Sequence, residues 1–551
     1  MIWFQGLPAL VVLGLAAFAW MTEGGLTGTL FVTATALTVG ALIAAASRRI
    51  LFATAVTAAI LSVLRTVSVV KQQNTDVILH AYDLVSLLNS TSTALSLWQD
   101  YRSQTVVLLV AGIAMIVLGW LAFRVDRTRV RRRHALAAAA IFASLAWTGA
   151  MSRGERTHME FYYEDRYLAT FFSTWAETIE ALWRGSLIEA AAHAPGPRLT
   201  LPGGCELTGK PPHILLIHQE SVAPPSHFPA LRYDTTVDSF FRSHDGSLRK
   251  LRVPTYGGAS WLTEFSLLTG VSADSLGGLR QFVQPIMRGK ARDTLPHALA
   301  RCGYRNVVFH PMLRSYLSID KFFASVGMHQ LVDARDQRAE QANERDRFYY
   351  SNVLAEIERH IKVSDRPLFT LVETMAAHGS YDYTYMPEVD VPGGGPGTPS
   401  RMHEYLRRLS MARMDYDEMR AELARRFPGE KFLIVHYGDH QPLATLPLLG
   451  FDENTSIETV MRSGNAAALV TYYAVDGVHY APPPLPAFEM LDVAYLGAII
   501  LDAAGLPLSD VYRERKRLMT LCNGRYHDCP ARGEILTFHR RLIDSGLMDA
   551  L

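Results

Sequence analysis

Three short stretches of this chain end in side chains that can bind a metal ion or act as a nucleophile. One apolar run, HILLIHQES, ends near Glu220, and a second, FLIVHYGDHQP, ends near Asp439 and His440. Between them, YGGAS has the form of a glycine turn that opens a helix at Ser260. Two carboxylates, an imidazole and a hydroxyl suit one hard or borderline divalent cation. The sequence therefore predicts a metal site that includes Ser260.

The two apolar runs predict buried parallel strands, because they are short, rich in Ile, Leu and Val, and bounded by polar turns. Ligands of open α/β sheets bind beyond the carboxyl ends of such strands, where Glu220 and the Asp439-His440 pair would meet. A hydroxyl at a helix start lies among free N–H groups, a suitable place for phosphate oxygens. We therefore predict that Ser260 is a metal-activated nucleophile. The alternative role for Ser260 is a helix N-cap.

The segments HILLIHQES, GGASWLTEF and VHYGDH resemble the three metal-site segments of the alkaline-phosphatase/sulfatase superfamily. Within it they are most similar to the membrane-bound lipoteichoic acid synthase and phosphoglycerol transferase branch, over roughly residues 205–510. In that branch a Glu, a Thr and an Asp-His pair bind a metal, and Ser260 stands in the Thr position. The resemblance implies one divalent ion, Mn, Zn or Mg, on Glu220, Ser260, Asp439 and His440.

The resemblance also implies substrate-binding residues. In the branch, a histidine after each of two further strands contacts the substrate phosphate, and His310 and His378 follow the predicted strands here. A hydrogen-bonded structural role is the alternative for each. The branch then has a Trp and an Arg that read glycerol phosphate, where this chain has Leu317 and Ile319. Arg314 and Tyr316 are our alternative candidates to compensate.

Three other polar residues near the motifs receive supporting roles. Glu264 lies four residues after Ser260, on the same helix face, and is expected to support the site. His218 and His436 alternate with interior residues of the predicted strands, so we interpret both as structural.

The resemblance implies a metal-dependent transferase that moves a phospholipid head group through a phospho-serine intermediate to a glycan or lipid acceptor. Phosphatidylglycerol is the favoured donor. A phosphoethanolamine transferase acting on lipid A or a glycan is the alternative. A sulfatase is disfavoured because the formylglycine pattern C/S-x-P-x-R is missing around Ser260. A non-catalytic membrane scaffold is disfavoured because Glu220, Ser260, Asp439 and His440 are all chemically competent.

The length of 551 residues predicts more than one domain, and the net charge of +1 gives no indication of a nucleic-acid partner. The first 150 residues contain five apolar segments, each about as long as a membrane span. These segments are Leu7–Met21, Leu26–Ala46, Ile50–Val70, Thr105–Phe123 and Ala135–Met151.

Arginine distribution predicts the orientation of this five-helix transmembrane domain, residues 1–151. The loops Ser47–Arg49 and Arg124–Arg133 carry eight Arg, whereas residues 71–104 carry only Lys71 and Arg102. Positive loops stay in the cytoplasm. We therefore expect a multi-pass protein of the bacterial inner membrane, with everything after Met151 periplasmic or extracellular.

Residues 152–204 are predicted to be an interfacial helix and linker. Aromatic residues there, from Tyr162 and Tyr163 to Trp183, are interleaved with charge, which is typical of a helix at a membrane interface. Packing against the catalytic domain explains the pattern equally well. The segment AYDLVSLLN is expected to lie at the outer interface. Arg65, in the third span, is expected either to snorkel or to contact a lipid phosphate.

Residues 205–551 alternate between strand-like and helix-like stretches, which predicts an α/β catalytic domain with a sheet flanked by helices. The predicted strands are His213–His218, Asn306–His310, Leu368–Glu373, Phe432–Tyr437 and Ala467–Val475. The predicted helices include Leu295–Cys302, His403–Arg426 and Phe488–Ala504.

All four cysteines fall in this exported part, where an oxidising environment favours disulfides. Cys522 and Cys529 are the natural local pair, which leaves Cys205 with Cys302. Free thiols are the alternative, and a zinc site is disfavoured because no C-x-x-C spacing is present.

Overall fold

A computed structural model of the chain describes residues 3–23, 25–75, 77–89, 102–152, 166–207 and 209–551. The chain divides into two units, Met1–Trp183 and Arg184–Leu551. Tyr162 and Tyr163, in the predicted interfacial segment, lie outside the described residues.

The first unit consists of helices joined by short non-helical segments within its described residues. Its helices are α1 (Trp3–Glu23), α2 (Gly25–Ser47), α3 (Ile50–Thr75), α4 (Ala81–Asn89), α5 (Arg102–Val125), α6 (Arg132–Ser152), α7 (Tyr167–Ser173) and α8 (Trp175–Arg184). Within the described ranges, two segments are long and apolar enough to cross a membrane, Gly25–Ser47 and Ile50–Gln73. Helices α1, α2, α3, α5 and α6 overlie the five predicted spans. That all five cross a membrane stays a prediction.

Buried polar contacts connect these helices. Both carboxylate oxygens of Glu23 accept hydrogen bonds from the start of α7, from the Leu168 and Ala169 N–H groups at 3.0 and 2.8 Å. A carboxylate stabilises a helix start because it satisfies free N–H groups and opposes the positive end of the dipole. The Arg65 guanidinium lies 5.5 Å from the ring centre of Tyr167, a cation–π distance.

The second unit is built on a mixed sheet, which in the described residues has eight strands in the order β4-β3-β5-β1-β6-β7-β2-β8. The strands are β1 (His213–Gln219), β2 (Arg249–Arg252), β3 (Arg305–Phe309), β4 (Gln330–Val332), β5 (Leu368–Thr374), β6 (Phe432–Gly438), β7 (Val470–Val478) and β8 (Leu491–Asp492). Strands β4, β3, β5, β1 and β6 run parallel, and β7 is antiparallel to β6 and β2.

The central strands are apolar because both faces of the sheet are covered. Every residue of β1, β5 and β6 is buried, as expected for parallel strands between layers of helices. The helices of this unit are α9 (Ser260–Thr269), α10 (Val283–Met287), α11 (Leu295–Arg301), α12 (Ile319–Ser325), α13 (Ala334–Gln337), α14 (Asp346–Ile361), α15 (Ser400–Arg426), α16 (Ile457–Arg462), α17 (Leu496–Ala503), α18 (Asp510–Leu521) and α19 (Arg532–Asp544). The predicted α/β fold of this unit is confirmed.

One predicted helix is wrong at its start. The apolar pattern predicted a helix from Phe488, but Leu491–Asp492 pairs with β2 as strand β8, and α17 begins at Leu496. The Asp492 carboxylate accepts a hydrogen bond from the Ala494 N–H at 3.1 Å, which ends the strand and starts a helical turn. The predicted disulfides Cys205–Cys302 and Cys522–Cys529 are both confirmed.

Candidate metal centre

The predicted ligands lie at one edge of the sheet because they follow neighbouring parallel strands. Glu220 comes directly after β1, and Asp439 and His440 come directly after β6, which pairs with β1. On the other side of β1, strand β5 carries Glu373 beside its end, and His310 follows β3. The carboxyl ends of four adjacent strands therefore collect their polar side chains in one place.

Ser260 reaches this edge from the first residue of α9. Its Oγ donates a hydrogen bond to Glu220 Oε2 at 2.8 Å. The turn before it is left-handed at Gly257 and Ala259, with φ of 66° at each. The Gly257 N–H donates to the Gln441 carbonyl at 3.1 Å, so the turn is attached to the residue that follows His440. The N–H groups at the start of α9 thus lie beside the acidic cluster.

Several ligand atoms converge on one point. His440 Nε2 lies 3.2 Å from both Glu220 Oε1 and Asp439 Oδ2. His218 Nε2 also lies 3.2 Å from Asp439 Oδ2, and 3.7 Å from Glu220 Oε2. Ligand atoms of His218, Glu220 and Asp439 fall within 4.8 Å of one another, close enough to hold one metal ion.

Three of these atoms are buried and make no hydrogen bond: Asp439 Oδ2, His440 Nε2 and His218 Nε2. Buried polar atoms without partners are rare and need an explanation, of which an ion is one. His440 Nδ1 lies 3.0 Å from the Gln441 carbonyl, which can only accept, so Nδ1 is protonated and Nε2 is the nitrogen that can bind an ion. This arrangement is typical of metal-binding histidines, and the residues present therefore fit a divalent ion.

His218, which we interpreted from the sequence as structural, lies together with the predicted ligands. Its ring is fully buried in β1, but its Nε2 faces the same point as the predicted ligands. Its Nδ1 lies 3.1 Å from the Tyr437 hydroxyl, which fixes the ring orientation. His436, by contrast, behaves as predicted: its Nδ1 lies 2.9 Å from the Tyr472 hydroxyl, and its ring packs on Phe240.

Two further carboxylic acids, those of Glu264 and Glu373, lie near His218. Glu264 Oε1 lies 3.8 Å from His218 Nδ1, and Glu264 Oε2 accepts a hydrogen bond from Gln284 at 3.0 Å. Glu373 Oε2 lies 3.1 Å from His310 Nε2. Glu264 thus lies at the cluster, where its supporting role stays a prediction, and His310 contacts a carboxylate there.

Burial and neighbouring charges set the pKa values of these groups. Burial opposes ionisation of Glu220, but His440, His218 and His378 outweigh it and hold its pKa well below the usual range. Burial also opposes a charge on His440, but Asp439 and Glu220 raise its pKa to about 9. Burial raises the pKa of Glu264 to about 7. The negative charge around Glu220 and Asp439 therefore favours a cation or a proton at this position.

The remaining predicted substrate residues are distributed as follows. His378 is partly exposed, and its Nδ1 has no hydrogen-bond partner. Arg314 is 54% exposed and paired with Asp333 at 3.0 Å and with Asp336, so its guanidinium already has two carboxylate partners. Leu317 is buried and contributes to packing. Contact of His310, His378 and Arg314 with a substrate stays a prediction.

Two site residues, His218 and Glu373, were missed by sequence reasoning. Both lie inside fully buried and largely apolar strands, and they occupy paired positions in the β1–β5 register. A charged or titratable residue in the middle of a fully buried strand is the signal that would have found them, because such groups are buried only with partners.

The match to a family model falls within the second unit. Residues 251–462 match the family model for sulfatases. An uncharacterized protein from Haemophilus influenzae is 23% identical over 333 residues, or 58% of this chain, and the match spans only 56% of that relative.

Solved structures similar to this chain include three from other bacteria. The phosphoglycerol transferase GacH of Streptococcus pyogenes is 15% identical, with a TM-score of 0.48 over 63% of this chain and 88% of its own. The lipoteichoic acid synthase LtaP of Listeria monocytogenes is 14% identical, with a TM-score of 0.40 over 54% and 72%. The phosphoethanolamine transferase EptA of Neisseria meningitidis is 11% identical, with a TM-score of 0.41 over 89% and 90%.

The family-model match includes two of the three motifs from which the resemblance was predicted, those of Ser260 and of Asp439 with His440. The first motif, which ends at Glu220, joins them in the structure through the hydrogen bond from Ser260. Residues 251–462 therefore carry a sulfatase-family domain, in keeping with the superfamily that the three motifs resemble.

Proposed function

We propose that this chain is a metal-dependent transferase that moves a phospholipid head group, with phosphoglycerol favoured, to a glycan or lipid acceptor outside the cytoplasm. The observation that carries the proposal is the Ser260 hydroxyl. It lies at a helix start, 2.8 Å from Glu220 Oε2 and beside three unpartnered buried ligand atoms. A hydroxyl in this setting is suited to attack phosphorus.

We assign a separate role to each residue of the site. Glu220, Asp439, His440 and His218 would hold one divalent ion, with Ser260 at its edge. Such an ion, when bound, offsets charge on the phosphate oxygens and favours the ionised serine hydroxyl. Ser260 Oγ forms a bond to phosphorus as the bond to diacylglycerol breaks, and an acceptor hydroxyl then takes the head-group phosphate from Ser260. The N–H groups at the start of α9 face the developing negative charge.

The membrane location follows from the donor. A phospholipid stays in the bilayer, so an enzyme that uses its head group benefits from membrane helices attached to the catalytic unit. We propose that helices α1, α2, α3, α5 and α6 anchor the chain in the bacterial inner membrane and that the second unit lies on the periplasmic or extracellular side. Their positions and the arginine-rich loops support this orientation.

Trapping the covalent intermediate tests the mechanism. The full chain is incubated with phosphatidylglycerol labelled in the head group, and the peptide containing Ser260 is examined by mass spectrometry. We expect a labelled phosphoglycerol adduct on Ser260 and none in Ser260→Ala, which should retain its metal. Ser260→Thr should keep partial activity, because the branch it resembles has Thr there.

Two outcomes count against the proposal. Turnover by the wild type without any adduct would contradict the covalent route, and residual hydrolysis by Ser260→Ala would indicate direct attack by water. Adducts only from phosphatidylethanolamine would replace phosphoglycerol with the alternative head group.

A further inference from the structure

A cavity of about 650 Å³ opens next to His378 in the second unit. Polar and aromatic side chains line it, namely Gln341, Asn343, His378, Tyr383, Tyr385 and Glu388. Its volume lies within the range of small-molecule binding sites, and a phosphate with a three-carbon head group would leave much of it unfilled. The cavity therefore has room for a second, larger substrate.

His378 connects this cavity to the candidate metal centre. His378 lines the cavity and lies four residues after the end of β5, the strand that pairs with β1, which Glu220 follows. Its Nδ1 makes no hydrogen bond within the protein. A molecule bound in the cavity would thus have one end towards the sheet edge that Glu220 follows.

Arg408 holds the wall of the cavity in place. Its guanidinium is fully buried in α15, paired with Glu404 at 2.8 Å, and donates to the carbonyl oxygens of His378 and of Ser380, the latter at 2.8 Å. It also lies 5.1 Å from the ring centre of Tyr385 and 5.0 Å from that of Tyr383. The segment from His378 to Tyr385 is therefore organised around one buried cation.

The lining chemistry limits the ligand. None of the residues lining the cavity is a lysine or an arginine, which disfavours an anionic ligand. Tyrosine faces attract cations, but the Arg408 guanidinium already lies against these rings, so a second cation would be repelled. Amides, phenols and a carboxylate are suited to a ligand rich in hydroxyl groups. The Tyr383 ring, 52% exposed, offers a face on which a flat apolar surface can stack.

We propose that this cavity is an acceptor subsite that binds a neutral saccharide, stacked on Tyr383, with a hydroxyl directed towards His378. As an acceptor subsite it rests on the proposed function, whereas saccharide binding itself does not. In the transfer step, the sugar hydroxyl oxygen bonds to phosphorus, the bond from phosphorus to Ser260 Oγ breaks, and the hydroxyl proton ends on Ser260 Oγ.

Saturation-transfer NMR tests the subsite directly. The full chain is placed in lipid nanodiscs, since sugar-based detergents would compete, and carries Ser260→Ala so that binding is separate from turnover. The probes are maltotriose and N-acetylchitotriose at millimolar concentration. We expect at least one to bind, with Tyr383→Phe retaining binding and Tyr383→Ala weakening it roughly tenfold. Val363→Ala, at an exposed apolar residue outside the cavity lining, is the control and should bind normally.

The outcomes separate the two proposals. Absence of binding by both saccharides, or equal binding by Tyr383→Ala, overturns the subsite. Binding of ethanolamine that is lost in Tyr383→Ala, with no saccharide bound, overturns it in favour of a cation site. Saccharide binding that depends on Tyr383, in a wild type that releases no phospholipid head group, supports the subsite and contradicts the proposed function. Head-group release without saccharide binding contradicts the subsite alone.

Discussion

At the residue scale, the site depends on groups that have no adequate partner within the protein. Four carboxylic acids and three histidines are collected at one edge of the sheet: Glu220, Glu264, Glu373, Asp439, His218, His310 and His440. These seven residues therefore include no side chain with a permanent positive charge. Their mutual contacts satisfy only part of their hydrogen-bonding capacity, and Asp439 Oδ2, His440 Nε2 and His218 Nε2 remain unpartnered. An ion at their meeting point would compensate for this.

His218 and His436 provide a matched test of the ligand set. Both are fully buried histidines on the paired strands β1 and β6, but only His218 faces Asp439. We expect His218→Gln to weaken metal binding about 10- to 100-fold, the usual loss when a residue that orients or completes a metal site is changed. His436→Gln should leave the affinity unchanged. Metal titration followed by elemental analysis measures both, and Asp439→Ala serves as the strongly defective reference.

Equal metal affinity in the two glutamine variants would show that His218 is structural. Equal loss in both would show that the strands, rather than the ligands, had been disturbed.

At the element scale, the turn before α9 determines where Ser260 lies. Gly257 has a φ of 66°, and its N–H binds the Gln441 carbonyl. Ala259 has the same φ in spite of its side chain, a conformation that costs about 1–2 kcal/mol for a residue with a Cβ. The turn therefore contains local strain directly before Ser260, held by its connection to the loop after β6.

Two substitutions in this turn should have different effects. In Gly257→Ala the new Cβ would lie 2.6 Å from Leu443 Cδ2, and the left-handed φ becomes unfavourable. We expect a loss of about 1–2 kcal/mol in the free energy of unfolding. We also expect a 10- to 100-fold fall in activity, roughly what displacement of a reacting group by 1 Å causes. Thermal unfolding and head-group release measure the two effects.

Ala259→Gly is the control for this turn. It removes the left-handed strain but adds freedom to the unfolded chain, so its stability should stay within about 1 kcal/mol of the wild type. If Gly257→Ala has no larger effect on stability and activity than Ala259→Gly, the turn does not position Ser260.

We expect the buried imidazole of His436, in strand β6, to make the stability of the chain depend on pH. Burial lowers the pKa of His436 to about 3, so the folded chain keeps this ring neutral while the unfolded chain protonates it near pH 6.5. Stability is unaffected above pH 6.5 and falls as the pH drops from 6.5 towards 3, because the unfolded state then binds one more proton. At pH 5 the loss from this group is about 2 kcal/mol.

Thermal unfolding of the full chain at pH 7 and pH 5 measures this effect. His436→Gln should be less stable at pH 7 but should lose less stability than the wild type between the two pH values. An unchanged difference between pH 7 and pH 5 in the variant would contradict the assignment.

At the scale of the whole molecule, the two units differ in the kinds of residues and sites that they contain. The first unit contains the long apolar helices and the arginine-rich loops, and the second contains the candidate site and both disulfides. A lipid donor and an oxidising compartment are both consistent with a second unit that lies outside the cytoplasm.

Reporter fusions test this arrangement. A reporter fused after Arg133 should behave as cytoplasmic, and one fused after Gly196 should behave as exported, because positively charged loops stay inside. The measurement is the activity of a reporter that folds only outside the cytoplasm. An exported signal from the Arg133 fusion would contradict the five-span topology.

The sequence alone determined the motifs, the main strands and the disulfide pairs. Glu220, Ser260, Asp439 and His440 were identifiable because each follows or opens a strongly patterned element, and parallel strands bring their ends together. The same reasoning located β1, β3, β5, β6 and β7 to within three residues at each end. The short strands β2, β4 and β8 could not be predicted, because they span only two to four residues and carry no periodicity.

The tertiary structure decided the rest of the site. His218 and Glu373 become neighbours through the register of β1 with β5, which no local pattern specifies. Arg314 is paired with Asp333 and Asp336, and the cavity beside His378 combines residues from two separate loops. Local spacing indicates which face or end of an element a side chain occupies. Which side chains then meet depends on strand pairing and on long-range packing.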